Sequence, residues 1–504
     1  MSSFDEYLSQ VGEIGHVVAV SGVLVTCSGL LGAKIGEKVV FENEAVGVVN
    51  AIWEKSTQVL LLDWRVVNAQ TMVVRTSEVL GVGVSESLLG RILDPFGRPI
   101  DGRGKIKKVR LRRFESSAPP LIDRVRVNEQ LETGVMLVDL LIPLGHGQRE
   151  LVIGDQKTGR TSFLIQAMAR QAQLGTICIY TLIGKRKSDL STTIEKLHKF
   201  GARDRTIVVA APASLATSLI YLAPFCAFSI AEYFRDLGHN VLVVFDELSR
   251  HAKYYRELSI LSKKMPGREG YPGDIFHMHA HLLERAGRAV VAKGGGREET
   301  LTLKIKGKTA AITTLAVVDA YGGDFTGYIQ TNLMAMTDGH IFYDINLYQE
   351  GIRPAINTQL SVTRVGRQTQ TTVERDFSRE IRQMMFDYTQ ARDVAKFGVE
   401  LLATTQVKLV NGEKVYALLA QENDVIIPKI IQLLYVALLL SGFWENSTPL
   451  QIKEHKDAIL FAYHEGQIAE VSRELARSLE MGSKKRFMDV VAKHQARIAK
   501  ICKL

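Results

Sequence analysis

The octapeptide GDQKTGRT, Gly154 to Thr161, fits the pattern G-x-x-x-x-G-K-[ST] at every constrained position but one. The exception is Arg160, which stands where the pattern has lysine. The glycines Gly154 and Gly159 permit a tight turn. Backbone N–H groups then point inward, and the helix that follows offers an anion its positive end. Asp155, Gln156, Lys157 and Thr158 fill the rest of the cradle, and the Thr161 hydroxyl is placed to ligate Mg²⁺. Arginine keeps the charge of lysine but is longer, planar and more demanding in geometry, so the exchange is not conservative. Lys157 supplies a second positive charge inside the loop. The chemistry to expect is phosphate binding without fast hydrolysis.

The flanks suit that chemistry. ELVIG, before the loop, reads as a strand, and TSFLIQAMARQAQLG, after it, as a helix. Further on, VLVVFDELSR reads as a buried strand ending in Asp246 and Glu247. Phosphate-loop proteins hold Mg²⁺ with an acid at such a strand end, usually through water. Asp246 is therefore the second candidate metal residue, beside Thr161.

These elements sit in the middle of three regions. Residues 1–80 hold short, Val-rich runs (HVVAVSGVLVTC, KVVFEN, AVGVVNAIW, TQVLLLDW, TMVVRT) that predict an N-terminal β-barrel. Residues 81–365 alternate apolar strand runs with helical stretches, which predicts an α/β domain with a parallel sheet. The Gly-, Pro- and Arg-rich segment from Leu89 to Arg113 reads as the linker into it. From residue 366 to 504 the strands stop. Phe377, Ile381, Met384, Tyr388 and Phe397 recur at helical spacing, and the chain ends in a basic amphipathic helix, so this region predicts a C-terminal α-helical bundle.

Composition narrows the class. The chain of 504 residues is 46% hydrophobic and 23% charged, which is globular and not disordered. Its net charge of +9 does not identify a ligand. Cys27, Cys178, Cys226 and Cys502 have no paired spacing, which argues against a disulfide framework or zinc site. MSSFDEYLSQ does not read as a signal peptide. Ile430 to Trp444 is too short for a membrane span, and Thr206 to Ala231 reads as a strand, a loop and a core helix.

Five stretches converge on one family. LIPLGHGQRELVIGDQKTGRT, EYFRDLGHNVLVVFDELSR, PGREGYPGDIFHMHAHLLERAGR, TDGHIFYDINLYQEGIRPAIN and SVTRVG together resemble the alpha subunits of rotary (F-type) ATP synthases. The resemblance implies a multidomain chain of N-terminal β-barrel, central RecA-like α/β phosphate-loop domain and C-terminal helical bundle. It implies a ring alternating with beta subunits, around a gamma central stalk and held by a delta/b peripheral stalk. Catalysis then sits on beta, and alpha binds ATP or ADP with Mg²⁺ at sites that do not turn over. The complex makes ATP from ADP and phosphate using a transmembrane ion gradient. The chain would meet a membrane only through the complex. Its place would be the cytoplasmic face of a bacterial cell membrane, or the inner side of a thylakoid or mitochondrial inner membrane for an organelle-encoded chain. No nucleic-acid partner is implied.

The resemblance also assigns residues. Arg364 of SVTRVG matches the arginine offered across the interface to a beta site, where charge builds on the transferred phosphoryl group. Ser361 is carried over as its positioning neighbour. Arg353, Gln421 and Asn423 match positions near the adenine ring, although Asn423 replaces a longer amide. In catalytic relatives the strand after the phosphate loop ends in a glutamate that orients water. TLIGKRKSDL puts Lys185 there, and an ammonium cannot be that base. Glu247 is the alternative acid, with a structural role as the competing reading.

Three rivals make distinct predictions. A secretion-type homohexameric ATPase requires a glutamate at Lys185. An RNA translocase of the Rho type requires aromatic and basic residues interleaved in the barrel, which Trp53 and Trp64 do not supply. A structural ring subunit that has lost nucleotide binding is what Arg160 would predict.

Overall fold

The computed structural model describes residues 3–63, 65–107, 109–293, 303–396 and 402–503. Trp64 and Phe397, both used above, lie outside them. The chain divides into two compact units. The first comprises Met1–Val125, Arg149–Ile153 and Ala172–Thr337, and the second Arg126–Gln148, Gly154–Gln171 and Asp338–Leu504.

The first unit begins with a closed six-stranded barrel. Its strands are Ile14–Ser21, Leu24–Ser28, Glu37–Phe41, Val46–Trp53, Ser56–Leu61 and Met72–Val79. The run HVVAVSGVLVTC is not one strand but a hairpin, turned at Gly22 and Val23 so that Ser21 faces Leu24. Alternate residues, among them Val25, Val39, Phe41, Val59 and Val73, fill the barrel with no exposed surface. Closing the sheet leaves no unpaired edge.

The α/β part of this unit is a sheet in the order Arg149–Gly154, Leu303–Asp319, Val241–Asp246, Ile177–Ile183, Thr206–Ala211 and Ile92–Leu93. The last four are parallel neighbours in register, with Leu182 opposite Asp246 and Ile183 opposite Ala211. Every residue of Ile177–Ile183, Thr206–Ala211 and Val241–Asp246 is buried, as expected of a sheet covered on both faces. The segment read as a linker is more than that. Ile92–Leu93 forms the sheet's end strand, and Arg110–Arg113 pairs antiparallel with Gly81–Val84. Asp101 holds Arg91 through two hydrogen bonds of 2.7 and 2.8 Å, which fixes the turn between them. The apolar run from Thr206 is a strand, a loop and the helix Thr217–Asp236, whose residues are mostly buried. That helix is long and apolar enough to cross a membrane by length and composition alone.

Beneath this helix, His251 Nδ1 and His279 Nε2 lie 3.3 Å apart, and His251 Nε2 donates to the Tyr221 carbonyl at 2.9 Å. Both rings are buried. Burial brings the His251 pKa down to about 4 and drives that of His279 well below 6.5. A histidine that stays neutral in the fold but charges when unfolded weakens the protein as acid rises. The loss from His251 begins near pH 6.5, is complete near pH 4 and reaches about 3 kcal/mol. Urea unfolding between pH 7.5 and 5 is therefore expected to show falling stability. A flat profile would count against a buried neutral pair.

The second unit is mainly helical: Thr372–Lys396, Ala403–Leu419, Lys429–Leu440, Pro449–His464, Ala469–Glu480 and Lys484–Cys502. Phe377 and Ile381 of the first of these are fully buried, and Phe377 meets Phe487 edge-on at 5.6 Å. The basic terminal helix buries Phe487, Val491, His494, Ile498 and Cys502 along one stripe. The buried acid Asp139 joins this bundle to the segment before the phosphate loop. It accepts from Thr133 N–H, Thr133 Oγ1, Gly134 N–H and Gln432 Nε2 at 2.7 to 2.9 Å. Burial lifts its pKa to about 6 despite those bonds.

Candidate nucleotide site

The phosphate loop lies in the second unit and has the backbone its sequence requires. Gly159 has φ +107°, and Lys157 takes the left-handed region at +66°. A Cβ at Gly154 would stand 2.5 Å from the Tyr343 carbonyl oxygen, so only glycine fits. The Thr158 hydroxyl donates to Asp155 O at 2.7 Å and tightens the turn. The helix Arg160–Gln173 follows at once. Lys157 and Gln156 are exposed, Asp155 and Thr161 are half-buried, and Arg160 is buried at 7% exposure. The loop's outward cation is thus Lys157. The Arg160 charge lies near Tyr343, where it opposes the upward pull of burial on the phenol.

The same unit brings Arg353, Gln421 and Asn423 to the loop. With Thr158 and Gly159 they line a cavity of about 10 Å³, room for one water. Two aromatic side chains that sequence reasoning missed, Phe163 and Tyr343, close it, their ring centres 6.3 Å apart. Phe163 lies in the helix that follows the loop, but Tyr343 ends the distant strand Gly339–Tyr343, so nothing in the sequence near the loop points to it. The Gln421 amide is committed to backbone. It accepts from Met136 N–H at 2.9 Å and donates to Gly134 O and Val425 O at 2.7 and 2.8 Å. Arg353 donates to Tyr348 O and Ile352 O, both at 2.8 Å, and its guanidinium stacks 3.6 Å from the Tyr348 ring centre. Arg353 and Gln421 also border a larger cavity of about 470 Å³, where Tyr388, Tyr416 and Tyr435 form part of the wall.

Asp246 ends its strand in the first unit with a carboxylate that is fully buried. Tyr180 O–H donates to Oδ2 at 2.6 Å and Lys185 Nζ to Oδ1 at 2.5 Å. The parallel register explains the meeting. Leu182 lies opposite Asp246, Tyr180 points the same way two residues earlier, and Lys185 follows three residues later. Glu247 is also buried and accepts from the Ser249 hydroxyl, with Arg250 Nε 3.8 Å from its other oxygen.

Arg364 follows directly on the short pairing of Val362–Thr363 with Gly339–Tyr343. Its own N–H donates to Asp338 O at 3.0 Å, and its side chain is exposed. Ser361 points the other way: its hydroxyl donates to Asn357 O at 2.6 Å and accepts from Phe342 N–H at 2.9 Å. In this structure Ser361 braces the turn.

Comparison with known proteins identifies the family. Residues 134–363 match the nucleotide-binding domain of the ATP synthase alpha/beta family, and residues 370–494 match the C-terminal domain of its chains. The chain is also 38% identical over 419 residues to the ATP synthase subunit alpha of Vesicomyosocius okutanii subsp. Calyptogena okutanii (strain HA), covering 83% of this chain and 81% of that one. The chain belongs to the ATP synthase alpha/beta family. Its architecture of barrel, nucleotide-binding domain and helical C-terminus is that of the alpha type. The first matched stretch spans the loop, Lys185, Asp246, Arg353 and Ser361; Arg364 lies one residue beyond it.

Family membership implies nucleotide and, with it, a divalent cation, for which Asp246 is the candidate acid. Mg²⁺ takes oxygens in near-octahedral geometry and keeps several waters. Asp246 offers a carboxylate with no exposed surface, whose oxygens already hold a phenol and an ammonium. A dication would have to displace a like charge to approach it. Asp246 as it stands does not fit a resident Mg²⁺, although Thr161 remains half-open at the head of its helix.

Proposed function

We propose that this chain is the non-catalytic, nucleotide-binding member of an ATP synthase head. It alternates with beta subunits around a central gamma stalk, under a delta/b peripheral stalk. It sits at the membrane only through that complex, which makes ATP at the expense of a proton or sodium gradient. Its loop takes ATP or ADP, its nucleotide is not turned over, and Arg364 serves the neighbouring beta site in trans.

One observation carries the non-catalytic reading. At the strand end where hydrolysis needs a carboxylate to orient water, the chain has Lys185, whose ammonium is tied to Asp246. Glu247 offers no replacement, since it is buried against Ser249 and Arg250. The exposed guanidinium of Arg364 supports the role in trans. The purified chain alone is therefore expected to hydrolyse ATP no faster than background, while equilibrium dialysis with labelled ATP detects binding. Brisk turnover by the lone chain would end this reading.

A second reading has specific support. The burial of Arg160 and the closure of the cavity by Tyr343 favour a ring subunit that has lost nucleotide. The same dialysis separates the two, because that subunit would retain no ATP.

A further inference from the structure

We infer that His277 and His281, in the first unit, form a surface site for one borderline transition dication of the Zn²⁺ or Cu²⁺ class. The inference is independent of the nucleotide-binding role.

The run FHMHAH, Phe276 to His281, carries histidine at every second position. In a strand all three rings would share one face. The chain instead folds this run into the helix Ile275–Leu283. At about 100° per residue, His277 and His281 fall about 40° apart on one face, and His279 falls on the opposite one. Burial follows that division. Ile275, Met278, His279, Leu282 and Leu283 are buried, whereas His277 is exposed and His281 half-buried. His279 is the ring that meets His251 at 3.3 Å. The buried face anchors the helix, so the outer pair stands on a fixed base.

The geometry of the outer pair suits a metal. The two ring centres lie 6.3 Å apart with their planes at 36°. Two imidazoles bound to one tetrahedral ion at about 2.0–2.1 Å would have their ring centres roughly 5 Å apart. Rotation about the torsions of side chains at the surface closes the difference of about 1 Å. Among the described residues neither ring makes a hydrogen bond or an ion pair, so the nitrogens of both are free to ligate. His251, His340 and His494, in contrast, are each held by an oxygen.

The donor set decides the class of ion. Asp274, one turn before His277, is engaged by Lys264 Nζ at 3.3 Å. Among the described residues no third His, Cys, Asp or Glu completes a group of three with the pair. Two imidazoles without a carboxylate suit Zn²⁺, Ni²⁺ or Cu²⁺, and not Mg²⁺ or Ca²⁺, which take oxygen. Two histidines four residues apart on a helix are also the pairing that helical zinc motifs use. Water fills the remaining positions, so the ion is held exchangeably and is not needed for folding.

The test titrates Zn²⁺ into the whole purified chain, stripped with EDTA and free of nucleotide, by isothermal titration calorimetry. Metal binding needs neutral imidazoles, so the titration is run at about pH 7.5. One ion per chain is expected to bind, without competition from excess Mg²⁺. His277→Ala and His281→Ala each break the chelate and should weaken binding by about tenfold or more. His464→Ala removes an exposed histidine of the second unit and should leave binding unchanged. With Cu²⁺ as the probe, electron paramagnetic resonance should show couplings from two imidazole nitrogens in the natural chain and from one in either variant. Zn²⁺ that binds the natural chain no tighter than both alanine variants, or that Mg²⁺ displaces, would overturn the inference. A Cu²⁺ spectrum that neither variant alters would do the same. If His281→Ala does not fold, His277→Ala, whose side chain is exposed, decides alone.

Discussion

Arg364→Ala, introduced into the assembled complex, is expected to lower ATP turnover by about 10³-fold or more. The figure is that of a forked cation lost from the charge developing on a transferred phosphoryl group. Three features of this chain suit Arg364 to that task. The side chain is exposed, so a neighbouring subunit can meet it. Its backbone is fixed, because its N–H is held by Asp338 O at 3.0 Å. The residue before it is fixed too, since Thr363 pairs with Gly339 and its hydroxyl donates to Pro143 O at 3.0 Å. A long side chain on a rigid base loses less freedom when it engages a partner than one on a mobile loop.

The kinetics should have a definite shape. An interaction made chiefly in the transition state lowers kcat with little change in KM. Arg364→Lys keeps the charge but loses the fork, so it should recover only a small part of the rate. Nucleotide binding by the lone chain should be untouched, since none of the residues lining the loop cavity is altered. Turnover within about threefold of the natural complex would remove Arg364 from the chemistry.

How far the sequence could be read depended on whether a feature was local. The phosphate loop was legible because its constraints lie within eight residues: two glycines, a hydroxyl and a helix start. The buried strands were legible because Ile177–Ile183 and Val241–Asp246 are apolar runs with little else to be. Gly22 and Val23 were harder, since a two-residue turn inside a Val-rich run leaves the apolar pattern nearly unbroken. Contacts that depend on register were out of reach. Lys185 looked like a missing base, but that it would be tied to Asp246 depends on Leu182 lying opposite that acid. The resemblance makes Ser361 a positioning neighbour of Arg364 and puts Gln421 near the adenine ring, and in the structure both side chains hold backbone groups. Whether a short polar side chain turns outward or braces its own backbone is set by neighbours such as Asn357 and Met136, which no spacing rule reveals. The closing of the cavity beside the loop by Tyr343 is a long-range effect of the same kind.

Arg285→Met is expected to destabilise the first unit by about 3 to 5 kcal/mol, the cost of leaving one half of a buried ion pair without the other. Arg285 has no exposed surface. Its Nε donates to Glu232 Oε1 at 2.8 Å, its Nη1 to Phe114 O at 2.7 Å and its Nη2 to Ser229 Oγ at 3.1 Å. The guanidinium also lies 5.3 Å from the Phe228 ring centre. Glu232 is as deeply buried, with Arg112 at 3.4 Å from its second oxygen as the weaker remaining partner. Burial pushes the Glu232 pKa up, but the charge and hydrogen bond of Arg285, together with the charges of Arg112 and Arg235, outweigh it and hold the carboxyl below its ordinary value. With the folded pKa depressed, the pair's contribution is present above the unfolded value of 4.5 and is lost as pH falls through the folded one. In Arg285→Met the burial remains and the main opposing charge is gone, so Glu232 should take up a proton more readily in the fold than out of it. The deficit measured by urea unfolding should therefore be larger at pH 7 than at pH 5. The double variant Arg285→Met with Glu232→Gln removes the orphaned charge and should recover much of the loss. A single variant that costs under about 1 kcal/mol at pH 7, or a double variant no better than the single, would mean that Glu232 is not the group Arg285 neutralises.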